Sequence, residues 1–347
     1  MSSVRATFLL GLLGACSSSG EKLDSGGGFA GGASTPGWGE CAAQDTPSWS
    51  GIAAQTVPTP GATNVSPYAP ILVFVAASFD AGSVSQDQLT VRVDSEVVSG
   101  RFKAITRSTT TVFAFVPSEP WPADSEVKVK IDYVIDTWSF SFSTGPWDAG
   151  SIDALTSTAD LGFEDAATSE GDDCEAVVDN GTVFAFGDAY IGPDAYGSLA
   201  PTEGDQHLLL SSGEVLGGAA IGGTTSYATT RPLDTGGATS VKFDKRFVSE
   251  EFDEYVGAVY DDGLFFVVWG PDGIAFKEVA GVNDIGSADS TAGNFPGLTD
   301  AEVGPEGTGG KPDLSDIGSP VVLTWVLTDV SDPLFTSVAQ IDNIRFE

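Results

Sequence analysis

Hydrophobic and polar side chains alternate with a period of two in several short segments of the first half of the chain. These segments are Leu89–Val93, Val112–Val116, Val127–Asp132 and Trp138–Phe142. Such alternation places one face of a strand in a core and the other in solvent, as in antiparallel sandwiches. Turn residues separate the segments, so we predict a β-sandwich over residues 55–146.

The second half of the chain combines apolar or alternating runs with long loops rich in Gly, Asp and Pro. The runs are Val183–Phe186, His207–Leu210, Val241–Phe247, Leu264–Trp269, Val321–Leu327 and Val338–Phe346. The longest intervening segment, Ala280–Ser319, is predicted to be a loop. Few strands joined by long loops predict a jelly-roll sandwich over residues 147–347, in which loops at one end carry the function. The predicted fold class is therefore all-β.

One stretch, Phe247–Trp269, organises this second sandwich. Its apolar run Leu264–Trp269, closed by the turn residues 270–273, predicts a buried strand. Acidic side chains precede the run and should gather at its N-terminal end: Glu250, Glu251, Asp253, Glu254, Asp261 and Asp262. They form either a solvated rim or a site that converges on a cation.

Charge is distributed unevenly over a chain of 347 residues with a net charge of −34. Residues 147–347 hold 36 acidic and 7 basic side chains, a balance of −29, whereas residues 55–146 hold 9 and 6, a balance of −3. A chain this acidic is repelled by phosphates, so nucleic-acid binding is excluded. Two interpretations of the acidity stay open. It serves solubility or adaptation to a salty medium, or it provides a binding site for a cation.

The N-terminus carries Arg5, an apolar run over residues 6–13 and then Leu13-Gly14-Ala15-Cys16. The run is too short to span a bilayer and is typical of a secretory signal. Its last four residues resemble the lipobox of bacterial lipoproteins. The resemblance implies that residues 1–15 are a signal peptide and that Cys16 is lipidated. With Ser17 next, it also implies an exported, lipid-anchored protein of the outer membrane or cell surface. The Gly/Ser-rich residues 16–54 are predicted to be a flexible tether.

Both sandwiches resemble extracellular modules. Residues 60–67, Val112–Pro117 and Phe140–Gly145 resemble bacterial immunoglobulin-like modules of the S-layer type, which act mostly as spacers. Residues 247–262 and Val321–Asp329 resemble choice-of-anchor jelly-roll ectodomains. The resemblance implies an extracellular location and a jelly-roll fold, but no activity, because these families have no established common activity.

Calcium is the cofactor that this pattern favours, in a structural role, because Ca²⁺ takes six to eight oxygen ligands and acidic loops supply them. Asp261 and Asp262 are predicted to form a cluster with Glu250, Glu251 and either Asp329 or Asp332. The segments around Glu164 and Asp342 also resemble the first and last strands of carbohydrate-binding jelly rolls. That resemblance implies a second calcium site made by these two acids.

Catalysis has little support in the sequence, and we predict no catalytic residue and a protein that is not an enzyme. The single histidine, His207, precedes three leucines and is expected at a half-buried strand position. Trp269 and Trp325 lie in apolar strands and are expected in the core rather than on a sugar-binding surface. Loop tyrosines are better placed to bind sugars: Tyr190, Tyr196 and Tyr227.

With Cys16 lipidated, Cys41 and Cys174 remain as either a disulfide or two free thiols. The sequence as a whole favours a noncatalytic adhesion or ligand-binding head on an immunoglobulin-like spacer. Its partners would be the membrane, through the lipid anchor, and a surface protein or a polysaccharide. Two alternatives stay open, a carbohydrate-binding or glycan-active envelope protein and a structural envelope protein.

Overall fold

Antiparallel strands make up almost all the regular structure in the described part of the chain, which confirms the all-β prediction. The computed structural model describes residues 48–49, 52–75, 85–106, 111–133, 136–147, 149, 163, 183–213, 215–216, 225–252, 255–257, 262–284, 291–329 and 335–347. The predictions for the signal peptide, most of the tether, and Cys16, Cys41 and Cys174 fall outside these residues.

In the residues that the structure describes, the first sandwich has nine strands in two sheets. They are β1 (Ser48–Trp49), β2 (Ile52–Val57), β3 (Ile71–Val75), β4 (Leu89–Val93), β5 (Glu96–Val97), β6 (Gly100–Thr106), β7 (Thr111–Pro117), β8 (Glu126–Tyr133) and β9 (Asp136–Ser143). Sheet I has the order β1-β2-β3-β7-β6 and sheet II the order β5-β4-β8-β9. With β2 to β9 taken as strands A, B, C, C′, D, E, F and G, these are the A-B-E-D and C′-C-F-G sheets of an immunoglobulin-like fold.

The second sandwich contains the remaining strands, again in two sheets. They are β10 (Val183–Phe186), β11 (Asp188–Gly192), β12 (His207–Ser211), β13 (Thr225–Thr230), β14 (Ser240–Ser249), β15 (Gly263–Trp269), β16 (Ile274–Gly281), β17 (Thr291–Ala292), β18 (Glu302–Val303), β19 (Gly307–Asp313), β20 (Val322–Thr328) and β21 (Ser337–Phe346). Sheet III has the order β10-β13-β20-β15-β16; sheet IV has the order β11-β12-β21-β14-β18-β17, with β19 also paired to β14. Only Gly187 separates β10 from β11, so the chain passes there from one sheet to the other, as in a jelly roll.

Sheets III and IV pack face to face through alternating apolar side chains. Leu264, Phe266 and Trp325 of sheet III meet Phe243 and Ile341 of sheet IV in one buried cluster. The rings of Phe243 and Phe266 are 4.9 Å apart, and those of Phe243 and Trp325 are 5.6 Å apart. This core confirms the buried positions expected of the Leu264–Trp269 strand.

The opposite face of sheet III is buried as well, because sheet I packs on it. Phe265, Val267 and Val326 belong to the same apolar cluster as Leu72 and Phe74 of β3. The rings of Phe74 and Phe265 lie 5.1 Å apart, and polar contacts frame the interface: Arg101 donates to the Gly270 carbonyl, and Thr328 donates to Gln55. The described strands thus form a stack of four sheets in the order II, I, III, IV.

The main departure from the predicted elements lies in the segment Ala280–Ser319, which is not one long loop. It contains β17, β18 and β19, and β19 pairs with β14 along Gly307–Asp313. The sequence of β19, GTGGKPD, has no apolar alternation and was therefore missed. The ring of Phe243 packs directly over Gly309, where an added Cβ would lie only 2.3 Å from Cε2 of that ring.

Candidate functional site

The outer face of sheet IV is polar although much of it is buried. Alternation turns Phe247 and Ile341 inward, so their neighbours Arg246 and Asp342 face outward. The register pairs Arg246 with Gln340 and Asp244 with Asp342, and β12 adds His207 beside them. Gln340, Asp342 and His207 are nevertheless buried, which means that another part of the chain covers this face.

The cover is the segment 193–206, which joins β11 to β12. The Gln340 amide donates from Nε2 to the Ala200 carbonyl at 2.6 Å and to Nδ1 of His207 at 2.8 Å. Nε2 of His207 lies 3.1 Å from the Asp194 carbonyl oxygen, and Arg246 donates to the Ser198 carbonyl at 3.3 Å. These contacts hold the segment on the sheet at both of its ends.

Asp342 anchors the same segment through its carboxylate. Oδ2 accepts hydrogen bonds from the Thr202 amide at 2.5 Å, the Thr202 hydroxyl at 3.0 Å and the Glu203 amide at 3.1 Å. Oδ1 accepts from the Asn343 amide at 2.7 Å. A buried carboxylate is tolerated when its oxygens are satisfied in this way. The carboxylate of Asp342 therefore acts as a clamp on the segment.

A second segment, residues 293–301, packs against the first. The rings of Tyr196 and Phe295 stack with centroids 5.8 Å apart, and the Tyr196 hydroxyl donates to the Pro296 carbonyl at 2.6 Å. Burial raises the pKa of Tyr196 well above its usual value, so the phenol stays protonated as a donor. We call segments 193–206 and 293–301 together the loop platform.

Ion pairs line the open side of this face. Arg345 donates to Asp244 at 2.8 Å, Arg246 pairs with Glu306 at 3.1 Å, and Lys242 pairs with Glu347. Burial raises the pKa of Asp244, but hydrogen bonds from Arg345 and Asn343 outweigh it and leave the pKa lowered. Partly exposed pairs of this kind add little stability; their main effect is to fix where the charges lie.

Glu250, one of the predicted calcium ligands, makes hydrogen bonds to two separate segments. Its Oε1 accepts from the amide and the hydroxyl of Thr299 at 2.7 and 2.8 Å, and its Oε2 accepts from the Thr336 amide at 3.0 Å. The side chain thus ties segment 293–301 to the start of β21. Like Asp342, it anchors the loop platform.

Three of the other predicted calcium ligands meet at one end of the second sandwich. Glu251, Asp262 and Asp329 are all buried. The Asp262 amide lies 3.4 Å from Oε2 of Glu251, and the pairing of Gly263 with Thr328 brings Asp262 beside Asp329. Within the described ranges no group of three or more His, Cys, Asp or Glu side chains is arranged to hold a metal ion. Glu164, Asp261 and Asp332 lie outside those ranges, so the calcium sites stay a prediction.

The predicted burial of the aromatic residues and of His207 is confirmed at some positions and wrong at others. Trp269 and Trp325 are in the core, as predicted. His207 lies on a strand but is fully buried rather than half-buried, because the loop platform covers it. Tyr196 and Tyr227 are also fully buried, so the suggestion that they bind sugars was wrong; Tyr227 lies within β13 and stacks on Phe186.

His207 and Ser212, which are five positions apart in the sequence, belong to separate hydrogen-bond networks. The Ser212 hydroxyl donates to Asp262 at 3.3 Å and accepts from the Ser337 amide at 2.9 Å. His207 instead contacts Gln340 and the Asp194 carbonyl. Their closeness in sequence therefore does not translate into a nucleophile and its base.

Gln340 and Thr202 were missed by the sequence reasoning, although a signal for Gln340 existed. In the strand Val338–Phe346 the polar residues Gln340 and Asp342 alternate with Ala339 and Ile341, which indicates a polar outer face. Nothing in the sequence indicated which segment would cover that face. In the described part of the chain, helices long and apolar enough to span a bilayer are absent.

No protein-family model and no curated protein matches this chain. Solved structures to which it is similar include the carbohydrate-binding module CBM27-1 of Caldicellulosiruptor saccharolyticus in complex with mannohexaose. The identity is 16%, the TM-score is 0.29, and the match covers 55% of this chain and 96% of that one. A calcium-binding mutant of beta-glucuronidase 2 from Bacteroides uniformis has 10% identity and a TM-score of 0.22, over 84% of this chain and 30% of that one.

Proposed function

We propose that this chain is a noncatalytic binding protein whose jelly-roll head recognises a polysaccharide on the loop platform. The observation that carries the proposal is the way buried side chains fix the platform. Asp342, Gln340 and His207 hold segment 193–206, and Glu250 holds segment 293–301. A surface fixed before the ligand arrives loses little entropy on binding.

The exposed groups of the platform suit a hydroxyl-rich ligand. Side chains exposed on it are hydroxyls, an amide and carboxylates: Ser198, Thr202, Thr299, Asn294, Asp194, Glu203 and Asp300. Such groups donate and accept hydrogen bonds with sugar hydroxyls. The balance of −29 over residues 147–347 opposes polyanions, so neutral glycans are the favoured class.

The exposed surface has few large hydrophobic side chains among the described residues, which favours a polar ligand over an apolar protein partner. Among the described residues the exposed large hydrophobic side chains are Val97 and Val256, one in each sandwich. Protein-binding sites are commonly marked by contiguous apolar patches with aromatic residues at their centres. Adhesion to a surface protein is therefore the second candidate, and a structural envelope protein the third.

The binding role is supported by what the described carboxylates do. Asp342 and Glu250 each accept several hydrogen bonds from backbone amides and hydroxyls, and both serve to fix loops. The lipid anchor at Cys16, export to the outer membrane or cell surface, and structural calcium complete the proposal. They rest on the N-terminal motif and on the acidic composition.

The test is a polysaccharide array probed with the mature protein, in calcium and again with a chelator. We expect binding to a neutral glycan, and a loss of about fivefold when Asn294 or Ser198 is changed to Ala, since one lost hydrogen bond is worth about 1 kcal/mol. Thr137→Ala, on the exposed face of sheet II, is the matched control and should bind normally.

Two results would overturn the proposal. If no glycan on the array is bound, the ligand is not a polysaccharide. If both platform variants bind a glycan as well as the unchanged protein does, the binding site is not on the loop platform. Loss of binding in chelator alone would support the calcium prediction without affecting the platform.

A further inference from the structure

We propose that His207 makes the loop platform sensitive to pH, because protonation of its ring releases segment 193–206 from sheet IV. The inference rests on the proposed function only in treating this segment as a binding surface. The release itself follows from contacts within the chain, and it deepens the proposal by adding regulation to the same site.

The contacts fix His207 in one neutral form. The Gln340 amide group reaches two acceptors at once, the Ala200 carbonyl at 2.6 Å and Nδ1 of His207 at 2.8 Å. Nδ1 must therefore be unprotonated, and the proton of the neutral ring lies on Nε2, which donates to the Asp194 carbonyl at 3.1 Å. The orientation of the Gln340 amide follows from the Ala200 carbonyl, which can only accept a hydrogen bond.

A protonated ring does not fit this arrangement. With a proton on Nδ1, the ring and the Gln340 amide group would both be donors facing each other at hydrogen-bond distance. Rotating the amide by half a turn would satisfy the ring but would place Oε1 against the Ala200 carbonyl, two acceptors in contact. The unrotated amide loses its bond to the ring and leaves two donors facing each other beneath the segment, and the rotated amide loses its bond to the Ala200 carbonyl of the segment. A buried polar group left without a partner costs about 1–3 kcal/mol.

Charged groups lie on the elements around His207. The carboxylates of Asp194 in the segment and of Asp342 in β21 favour the protonated ring, and Arg246 of β14 is paired in register with Gln340. Tyr190 of β11 presents its ring at 6.5 Å in an edge-on arrangement. Burial lowers the pKa of His207, and it outweighs the Asp194 carbonyl bond and the carboxylates of Asp342 and Asp194, which raise the pKa.

The direction of the pH effect follows from this lowered pKa. The unfolded or released segment leaves His207 with an ordinary pKa of about 6.5. Above that value both states are neutral, and the segment is fully held. As the pH falls from about 6.5 towards the lower pKa of the seated ring, the released state takes up the proton first, so the held state loses stability.

The experiment is hydrogen exchange of the full chain between pH 8 and pH 5, corrected for the intrinsic pH dependence of exchange. We expect amide protection in residues 193–206 to fall on acidification by about tenfold for each unit by which the pKa of His207 is lowered. Peptides from β8 should keep their protection. His207→Asn, whose Oδ1 keeps an acceptor near the position of Nδ1 but does not titrate, should remove the pH dependence.

A second measurement does not depend on any variant. His207 is the only histidine of the chain, so the ring carbon signal of histidine labelled with carbon-13 reports its protonation directly. The midpoint of this titration should coincide with the loss of protection. Constant protection from pH 8 to pH 5, or the same acid release in His207→Asn, would overturn the inference. Neither readout needs a ligand, so a failure of the polysaccharide array leaves this test unaffected.

Discussion

Gly197 lies where the two segments of the loop platform touch. Its φ of +60° is in the left-handed region, and a Cβ at this position would lie 2.4 Å from Cδ1 of Phe295 and 2.8 Å from the Asn294 carbonyl oxygen. The stack of Tyr196 on Phe295 needs this close approach. Two separate constraints, backbone conformation and space, therefore fall on the same residue.

We expect Gly197→Ala to destabilise the platform by about 2–5 kcal/mol. The left-handed conformation accounts for about 1–2 kcal/mol and the contact with the Phe295 ring for about 1–3 kcal/mol. Urea unfolding measures the global part of the loss, and hydrogen exchange in residues 193–206 measures any local part. Gly237→Ala is the control, because Gly237 has a φ of +84° and no atom within 4 Å of an added Cβ. Equal losses in both variants would mean that the contact with Phe295 contributes nothing.

At this scale the sequence predicted positions on strands better than it predicted exposure. Trp269 and Trp325 were placed in the core from the apolar runs that contain them, and His207 was placed on a strand. Tyr196 and Tyr227 were expected to be exposed because glycines surround them, yet both are fully buried. A local pattern identifies a turn or a strand, but burial of a loop residue depends on a remote partner such as Phe295.

The strand β15 is buried on both faces, which is unusual for an antiparallel sandwich. Phe265 faces sheet I, where it meets Phe74, and Phe266 faces sheet IV, where it meets Phe243. Both side chains have at most 2% of their surface exposed. Each face of this strand is therefore part of a separate core.

We predict that Phe265→Ala and Phe266→Ala each cost about 3–5 kcal/mol in the free energy of unfolding, because each creates a cavity in a closed core. Denaturant unfolding of the full chain measures both. Lys277→Ala, an exposed position on the neighbouring strand β16, should change the stability by about 0.5 kcal/mol at most. If Phe265→Ala costs less than about 1 kcal/mol, the outer face of sheet III is in solvent and the stack of sheets is wrong.

The elements that the sequence predicted are those with an apolar pattern of their own. β15, β20 and β21 were found because Val, Phe and Leu recur along them. β19 was not found because it pairs through its backbone with β14 and contributes glycines to the sheet. Such a strand is specified by its partner, and a single sequence carries little sign of it.

At the scale of the whole molecule, the order of the two sandwiches was predicted from the sequence, but the joint between them was missed. The sequence nevertheless carried a signal for this joint. Residues 112–116 were interpreted as alternating, yet all five are apolar, and β3 (Ile71–Val75) is equally apolar. Runs without polar positions indicate burial on both faces, and both strands belong to sheet I, which lies between two other sheets. The first sandwich is therefore a structural partner of the second.

This joint predicts that both sandwiches unfold in one transition. Calorimetry of the full chain should give a single peak, and peptides from β8 and β21, which lie in the two outermost sheets, should lose exchange protection together. Phe74→Asp places a carboxylate in the joint, where an unpaired buried charge costs about 3–5 kcal/mol. It should lower the single midpoint by about 5 °C or more. Val97→Asp adds the same charge at a position that is 63% exposed and should leave the midpoint unchanged. Two resolved peaks, with Phe74→Asp shifting neither, would mean that the sandwiches are independent. The loop platform would then be carried by a head free to move on its spacer, and not by one rigid stack of sheets.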